Sequence, residues 1–162
     1  MKRVILMRHG KSDWSNAGQT DHQRTLNARG RKDTPQIVRK IKAYGILPEL
    51  ILVSDAERTR ETWQILSEIL PAAPTRFTHD LYMASAQIIT KIIENVDPLI
   101  DTVLILAHNP GITDVFYSLA GVQIDNVPTA GVGCIQFDTD TFKNIMESTT
   151  ELEYFYYPKM DQ

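Results

Sequence analysis

Three short apolar runs constrain the fold of this chain more than any other feature. Residues 4–7, 50–53 and 102–107 have the length and composition of β-strands buried on both faces. Segments with helical patterns separate these runs along the chain. Runs of strand length that alternate with helices predict an α/β domain with a largely parallel sheet. We therefore expect a single three-layer domain over residues 1–162, in which helices flank a mixed, mostly parallel sheet.

Capping residues and prolines predict where the helices begin and end. Asn27 is a candidate cap of the first helix, but Pro35 is unfavourable inside a helix. We therefore expect its firm part to begin at 34–35 and to end at Gly45. The remaining predicted elements are a helix that starts at a Ser-x-x-Glu capping box at 54–57 and stops before Pro71, a weak strand at 75–78, a helix capped by Ser85 that ends by Pro98, a helix from Gly111 to Gly121, and antiparallel strands at 133–137 and 152–157.

The composition excludes several classes of protein. The net charge is −3 and no basic run is present, which argues against non-specific nucleic-acid binding. The single cysteine, Cys134, can form neither an internal disulfide nor a cysteine-based zinc site. The apolar run at 4–7 is too short for a signal peptide or a membrane span. We therefore expect a cytoplasmic protein that binds no membrane.

The strongest functional signal lies where the three strands end. Arg8 and His9 close the first run, Arg58 follows the second by five residues, and His108 follows the third. Ligands of open parallel sheets bind outside the carboxyl ends of the strands. If the three strands are neighbours, these four side chains meet in one pocket.

Two arginines and two histidines in one cleft suit a phosphoryl group. The arginine fork pairs with two phosphate oxygens, and a protonated histidine adds another donor. The helix near Gly111 would add backbone donors at its N-terminus. No acidic metal cluster and no H-x-x-x-H spacing is evident, and the arginines would repel a divalent cation. The sequence therefore predicts a phosphate site without a metal or other cofactor.

These residues belong to a longer series of motifs. Together the motifs resemble the histidine phosphatase superfamily, and within it the SixA-type phosphohistidine phosphatases. The resemblance covers residues 1–121, and the C-terminal strands are compatible with it. The matching segments are Arg-His-Gly at 8–10, Ser-Asp-Trp at 12–14, residues 24–30, residues 53–62 with Arg58, Leu81-Tyr82, and His-Asn-Pro-Gly at 108–111.

The resemblance implies a role for each strand-end residue. His9 would be the nucleophile that forms a phosphohistidine intermediate, and Arg8, Arg58 and His108 would hold the phosphoryl oxygens. Neighbouring arginines should lower the pKa of His9, and a bound phosphate should favour a charged His108. The other expectations are phosphate contacts from Ser12 and Arg24, a packing role for Trp14, and solvated surface positions for His22 and His79.

The predicted substrate class rests on the lack of an evident carboxylic general acid in the sequence. Many superfamily members carry a carboxylic general acid, but Asn109 follows His108 here, and Asp80 matches a family acid poorly. An imidazole leaving group needs protonation less than an alkoxide does. The pattern thus favours phosphohistidine in a protein substrate, and the chain shows no long insertion that would form a lid. A phosphatase of small phosphorylated metabolites and a non-catalytic phosphate-binding module are the alternatives.

Overall fold

The computed structural model describes residues 1–159 as one α/β domain. In that part of the chain, no helix is long and apolar enough to cross a bilayer. Three short 3₁₀ helices, Asp21–Gln23, His79–Leu81 and Phe142–Glu147, lie in the connections. The main elements are β1 (Lys2–Arg8), α1 (Ala28–Tyr44), β2 (Leu50–Ser54), α2 (Glu57–Ile69), β3 (Thr75–Thr78), α3 (Ala86–Glu94), β4 (Thr102–Ala107), α4 (Gly111–Ala120), β5 (Val132–Phe137) and β6 (Thr150–Tyr156).

The six strands form one sheet in the order β3-β2-β4-β1-β5-β6. The first four of these strands run parallel, while β5 pairs antiparallel with both β1 and β6. The sheet is therefore mixed and mostly parallel, as the sequence predicted. β2, β4 and β1 are neighbours, so the three apolar runs end side by side at one edge.

Helices cover both faces of the sheet. Alternate residues of each central strand enter two separate cores; in β1, Val4 and Leu6 belong to one core, whereas Ile5 and Met7 belong to the other. The first core contains the apolar stripes of α3 and α4, and the second contains those of α1 and α2. This double burial explains why the strands are continuously apolar. The predicted three-layer arrangement is confirmed.

The start of α1 differs from the prediction. The helix begins at Ala28 and passes through Pro35 without a break. The Asn27 side chain accepts a hydrogen bond from the Gly30 amide at 2.9 Å, which caps the helix firmly at its first turn. Proline removes only one amide from the ladder, and burial of the apolar face of α1 against the sheet stabilises the turns on either side.

The predicted capping box at 54–57 is wrong. Ser54 is the last residue of β2 and pairs with Thr78 of β3, so it cannot cap the following helix. The residue at the cap position of α2 is Ala56, which offers no side-chain acceptor. The other boundaries agree closely. Leu70 and Gly121 are the C-cap residues of α2 and α4, Ser85 caps α3, and the C-terminal strands are antiparallel.

Gly30 fixes the loop that follows β1 against α1. A Cβ at this position would lie 2.3 Å from the Lys11 carbonyl oxygen, which is backbone and cannot rotate away. Gly30→Ala should therefore destabilise the protein by about 1–3 kcal/mol, although alanine is the better helix former. Urea denaturation measures this difference. Gln36→Ala, at an exposed position of the same helix, is the control and should change stability by less than about 0.5 kcal/mol.

Candidate active site

The predicted strand-end residues meet at the carboxyl edge of the sheet. His9 follows β1, His108 follows β4, and Arg58 lies in the first turn of α2 after β2. The ring centroids of His9 and His108 are 5.2 Å apart. Arg58, His9 and His108 are only 2%, 5% and 2% exposed. The sheet thus brings together residues that are distant in sequence, as expected from strand adjacency.

Hydrogen bonds define which nitrogen of His9 carries the proton. The Arg58 guanidinium donates from Nε to His9 Nε2 at 3.3 Å. Because arginine is always a donor, His9 Nε2 must present a lone pair. The proton then resides on Nδ1, which donates to the Gly10 carbonyl oxygen at 2.7 Å. His9 is therefore a neutral imidazole with an unprotonated Nε2 in the pocket.

The surroundings of His9 keep it neutral. Burial lowers the pKa of His9 well below its ordinary value, and His108, Arg58 and Arg8 lower it further. The hydrogen bond to the Gly10 carbonyl opposes this shift. The direction agrees with the sequence prediction, but desolvation is a larger cause than the neighbouring arginines.

His108 is positioned by Ser54, which the sequence analysis had assigned to a helix capping box. Its Nε2 lies 2.7 Å from the Ser54 hydroxyl at the end of β2. Its buried Nδ1 has no hydrogen-bond partner among residues 1–159. Burial and then Arg58 lower the pKa of His108 to about 3, so protein groups alone hold it neutral. A bound dianion must offset this desolvation before His108 can become charged, as the sequence analysis expects.

Arg8 is held at the opposite wall of the pocket. Its guanidinium donates from Nη1 to the Val127 carbonyl oxygen at 2.9 Å. The same carbonyl accepts from the Asn109 side chain at 2.9 Å, so Asn109 braces the wall. Burial and Arg58 lower the pKa of Arg8, and its buried Nε lacks a hydrogen-bond partner within the described chain. An oxyanion would satisfy this donor.

Asp21 is a site residue that the sequence analysis missed. Its carboxylate lies 3.1 Å from Arg58 Nη2, and its backbone carbonyl accepts from Arg58 Nη1 at 2.7 Å. The Tyr82 hydroxyl donates to the same carboxylate. Burial opposes ionisation of Asp21, but hydrogen bonds and the charges of Arg58 and Arg24 outweigh it and lower its pKa to about 2. Asp21 is therefore an anion that already balances the charge of Arg58.

Ser12 and Arg24 lie together beside the site. Arg24 donates from Nη1 to the Ser12 hydroxyl at 2.7 Å and pairs with the Asp21 carboxylate at 3.0 Å. Trp14 is not the packing residue that the sequence suggested. Its side chain is 73% exposed and lies over the Arg24 guanidinium, 3.4 Å from ring centroid to Cζ. Arg24 thus supports Asp21 in this geometry, and its contact with phosphate stays a prediction.

The pocket is more enclosed than the sequence suggested. Asp21 belongs to the loop between β1 and α1, and its contacts with Arg58 and Tyr82 draw that loop over the pocket. The ring of Tyr82 in turn packs edge-on against His108, with centroids 5.5 Å apart. Short connections therefore contact Arg58 and His108 even though the chain has no long insertion.

Two further histidines lie near the surface, as predicted, with His79 exposed and His22 half-buried, but they share a partner. The side chains of His22 and His79 both contact the Asp55 carboxylate. Asp80, by contrast, is exposed, and its backbone amide donates to the Thr78 hydroxyl. Asp80 thus shows no contact that would make it a proton donor at His9.

The neutrality of the two buried histidines leads to a direct prediction. The imidazole ¹⁵N signals of His9 and His108 should show no protonation between pH 8 and pH 5, because burial lowers both pKa values. Nitrogen-resolved NMR titration measures this, with His9→Gln and His108→Gln for assignment. In urea both residues should titrate near about 6.5, the value for an unperturbed histidine. Titration of either residue near that pH in the folded protein would contradict the proposed electrostatics.

Comparison with known proteins agrees with the geometry. The sequence model of the Histidine phosphatase superfamily (branch 1) matches residues 4–82, which include Arg8, His9 and Arg58. An uncharacterised chloroplastic protein of Arabidopsis thaliana is 32% identical over 133 residues, which are 76% of this chain and 61% of that protein. The chain thus spans less than two thirds of that relative.

Solved structures share the fold over nearly the whole chain. A candidate phosphohistidine phosphatase SixA from Nakamurella multipartitia superposes with a TM-score of 0.86 at 20% identity, covering 98% of this chain and 96% of that one. A protein histidine phosphatase SixA complexed with tungstate gives 0.82 at 18% identity, covering 96% and 97%. These solved structures thus share the fold of this chain, and the sequence model of the Histidine phosphatase superfamily (branch 1) matches the segment that carries Arg8, His9 and Arg58.

Proposed function

We propose that this protein is a metal-independent phosphatase that removes the phosphoryl group from phosphohistidine in a protein substrate. The observation that carries the proposal is the contact between Arg58 Nε and His9 Nε2, at 3.3 Å. It leaves His9 neutral, with the Nε2 lone pair directed at the buried guanidinium of Arg58, which would release it as Arg58 turns to the phosphoryl oxygens. A nucleophilic nitrogen beside fixed positive charge is the arrangement that phosphoryl transfer requires.

The proposed reaction has two displacements. In the first, His9 Nε2 forms a bond to phosphorus while the bond from phosphorus to the substrate imidazole breaks, and that imidazole leaves with the electron pair. In the second, the oxygen of a water molecule forms a bond to phosphorus while the bond from phosphorus to His9 Nε2 breaks. The electron pair returns to Nε2, which regenerates the neutral imidazole, and the protons of the water leave with phosphate or pass to solvent. Arg8, Arg58 and His108 are the groups that would stabilise the charge on the phosphoryl oxygens.

The state of Asp21 supports the choice of leaving group. A general acid must hold a proton at working pH, but the pKa of Asp21 is lowered to about 2. The other candidate, Asp80, is exposed and makes no contact with His9. A substrate that leaves as imidazole can already carry a proton on its distal nitrogen. The pocket therefore fits phosphohistidine better than an unactivated alcohol ester.

A basic groove beside the pocket supports an anionic protein surface as the wider substrate. Arg8 lines this groove, which has a volume of about 440 Å³. Lys11, Arg29 and Lys159 also line it. Such a groove suits acidic residues around the phosphorylated histidine.

The tungstate complex of a SixA structure is a further support, because tungstate is a tetrahedral oxyanion like phosphate. The cytoplasmic location stays a prediction from the sequence.

The substrate class is tested by comparing two kinds of phosphate donor. The wild-type protein should release phosphate from a histidine-phosphorylated protein at least about 100-fold faster, by kcat/KM, than from phosphoserine, sugar phosphates or other unactivated monoesters. His9→Ala should abolish turnover of both kinds. Asp80→Asn, the matched carboxylate control, should retain wild-type rates. Phosphate release from the monoesters alone would establish the small-molecule alternative, and phosphate binding without turnover would establish the binding module.

A further inference from the structure

A cluster of three side chains outside the phosphate pocket has the composition of a metal site. His22 Nε2 lies 2.7 Å from Asp55 Oδ1, and His79 Nδ1 lies 3.1 Å from each carboxylate oxygen of Asp55. All the donor atoms lie within 4.8 Å of one another. The phosphatase reaction proposed above does not use this cluster.

The sheet places two of the three ligands in register. Ser54 of β2 pairs with Thr78 of β3, so the next residues, Asp55 and His79, leave the carboxyl edge side by side. The Asp55 amide also donates to the Thr78 carbonyl oxygen at 3.3 Å. His22 reaches them from the 3₁₀ helix Asp21–Gln23. Two rigid strand ends and one loop residue thus converge on one point.

The donor distances fit one small cation. Ligands of a tetrahedral zinc ion, bound at about 2.0–2.1 Å, lie roughly 3.3 Å apart. The two contacts to the Asp55 carboxylate, at 2.7 and 3.1 Å, are hydrogen bonds somewhat shorter than this value, so a zinc ion would replace them after small side-chain shifts. Two imidazoles and one carboxylate form a donor set that zinc prefers, and the fourth position is left for water.

We propose that His22, Asp55 and His79 bind one Zn²⁺ ion at the rim of the active site. The ion would tie the loop between β1 and α1 to the ends of β2 and β3. This loop carries Asp21, which precedes His22 and contacts the catalytic-site residue Arg58. Zinc binding therefore fixes the covering loop in place without contact between the ion and His9.

The cluster also lies close enough to influence the phosphate pocket. The ring of Tyr82 packs against His22 at 4.8 Å and against His108 at 5.5 Å, measured between centroids. His22 contributes to the lowered pKa of His108, after the larger effects of burial and Arg58. A divalent charge at the cluster would strengthen the positive potential that attracts a phosphorylated substrate.

Zinc titration of the tag-free, chelator-treated protein tests this site. Competition with a chromophoric chelator in phosphate-free buffer should show one tight Zn²⁺ per chain for the wild type. His79→Gln should weaken binding by at least about 100-fold, since even partners that only orient a ligand contribute 10–100-fold. The His79 side chain is 71% exposed, so the substitution should leave the fold intact. His22→Gln is a second ligand variant with the same expected loss.

Two controls separate this site from other zinc binding. Asp80→Asn removes a neighbouring carboxylate outside the cluster and should retain full affinity. His108→Gln should also retain it, which excludes the catalytic histidine pair as the ligands. Zinc should raise the melting temperature of the wild type and of both controls, but not that of His79→Gln. Loss of binding in His108→Gln with retention in His79→Gln, or no binding at millimolar Zn²⁺, would overturn the proposal.

Discussion

The buried guanidinium of Arg58 is the group on which the rest of the site depends. At 2% exposure it needs partners for its donors, and it finds them in His9 Nε2 and in the carbonyl and carboxylate oxygens of Asp21. The first contact sets the tautomer of His9, and the second draws a loop over the pocket. A single desolvated cation thus sets the tautomer of His9, adds to the burial that keeps His9 neutral, and holds Asp21 and its loop beside the pocket.

This arrangement explains how a pocket of cations can exist before substrate arrives. Burial lowers the pKa of Arg8 and of both histidines, and the charge of Arg58 lowers these pKa values further. Asp21 supplies one negative charge, and both histidines stay neutral. A phosphoryl group brings additional negative charge to donors that Asp21 leaves unsatisfied, such as Arg8 Nε. The site is thereby prepared for an anion whose charge exceeds that of one carboxylate.

The fold and the core of the site were predictable from sequence because each follows from a local pattern. The patterns are the apolar runs of the strands and the polar residues directly after them. Continuous apolar runs indicate strands buried on both faces, and the structure buries 4–7, 50–53 and 102–107 in that way. Parallel neighbours necessarily place their carboxyl ends together, so Arg8, His9 and His108 had to meet once β1 and β4 paired. Prediction succeeded where a local sequence pattern, such as an apolar run, was enough to place a strand and the residues that follow it.

Prediction failed where a residue's role depends on contacts that are distant in sequence. Asp21 lies in a loop without periodicity, and its partner Arg58 is 37 residues away. Ser54 matched a local capping pattern, but strand pairing and the contact with His108 outweighed it. The cluster around Asp55 joins residues 33 and 24 positions away, beyond any spacing motif for metal ligands. Such sites become visible only when the sheet register is known.

The central claim is that His9 Nε2 forms the covalent bond to phosphorus. The most direct test is to mix the protein rapidly with phosphoramidate, quench in alkali, and locate the phosphate by peptide mass spectrometry and ³¹P NMR. We expect one phosphate per chain on His9 Nε2, stable in alkali and labile in acid, and absent from His9→Ala. Phosphate on His108, or turnover without any phosphorylated protein, would contradict it.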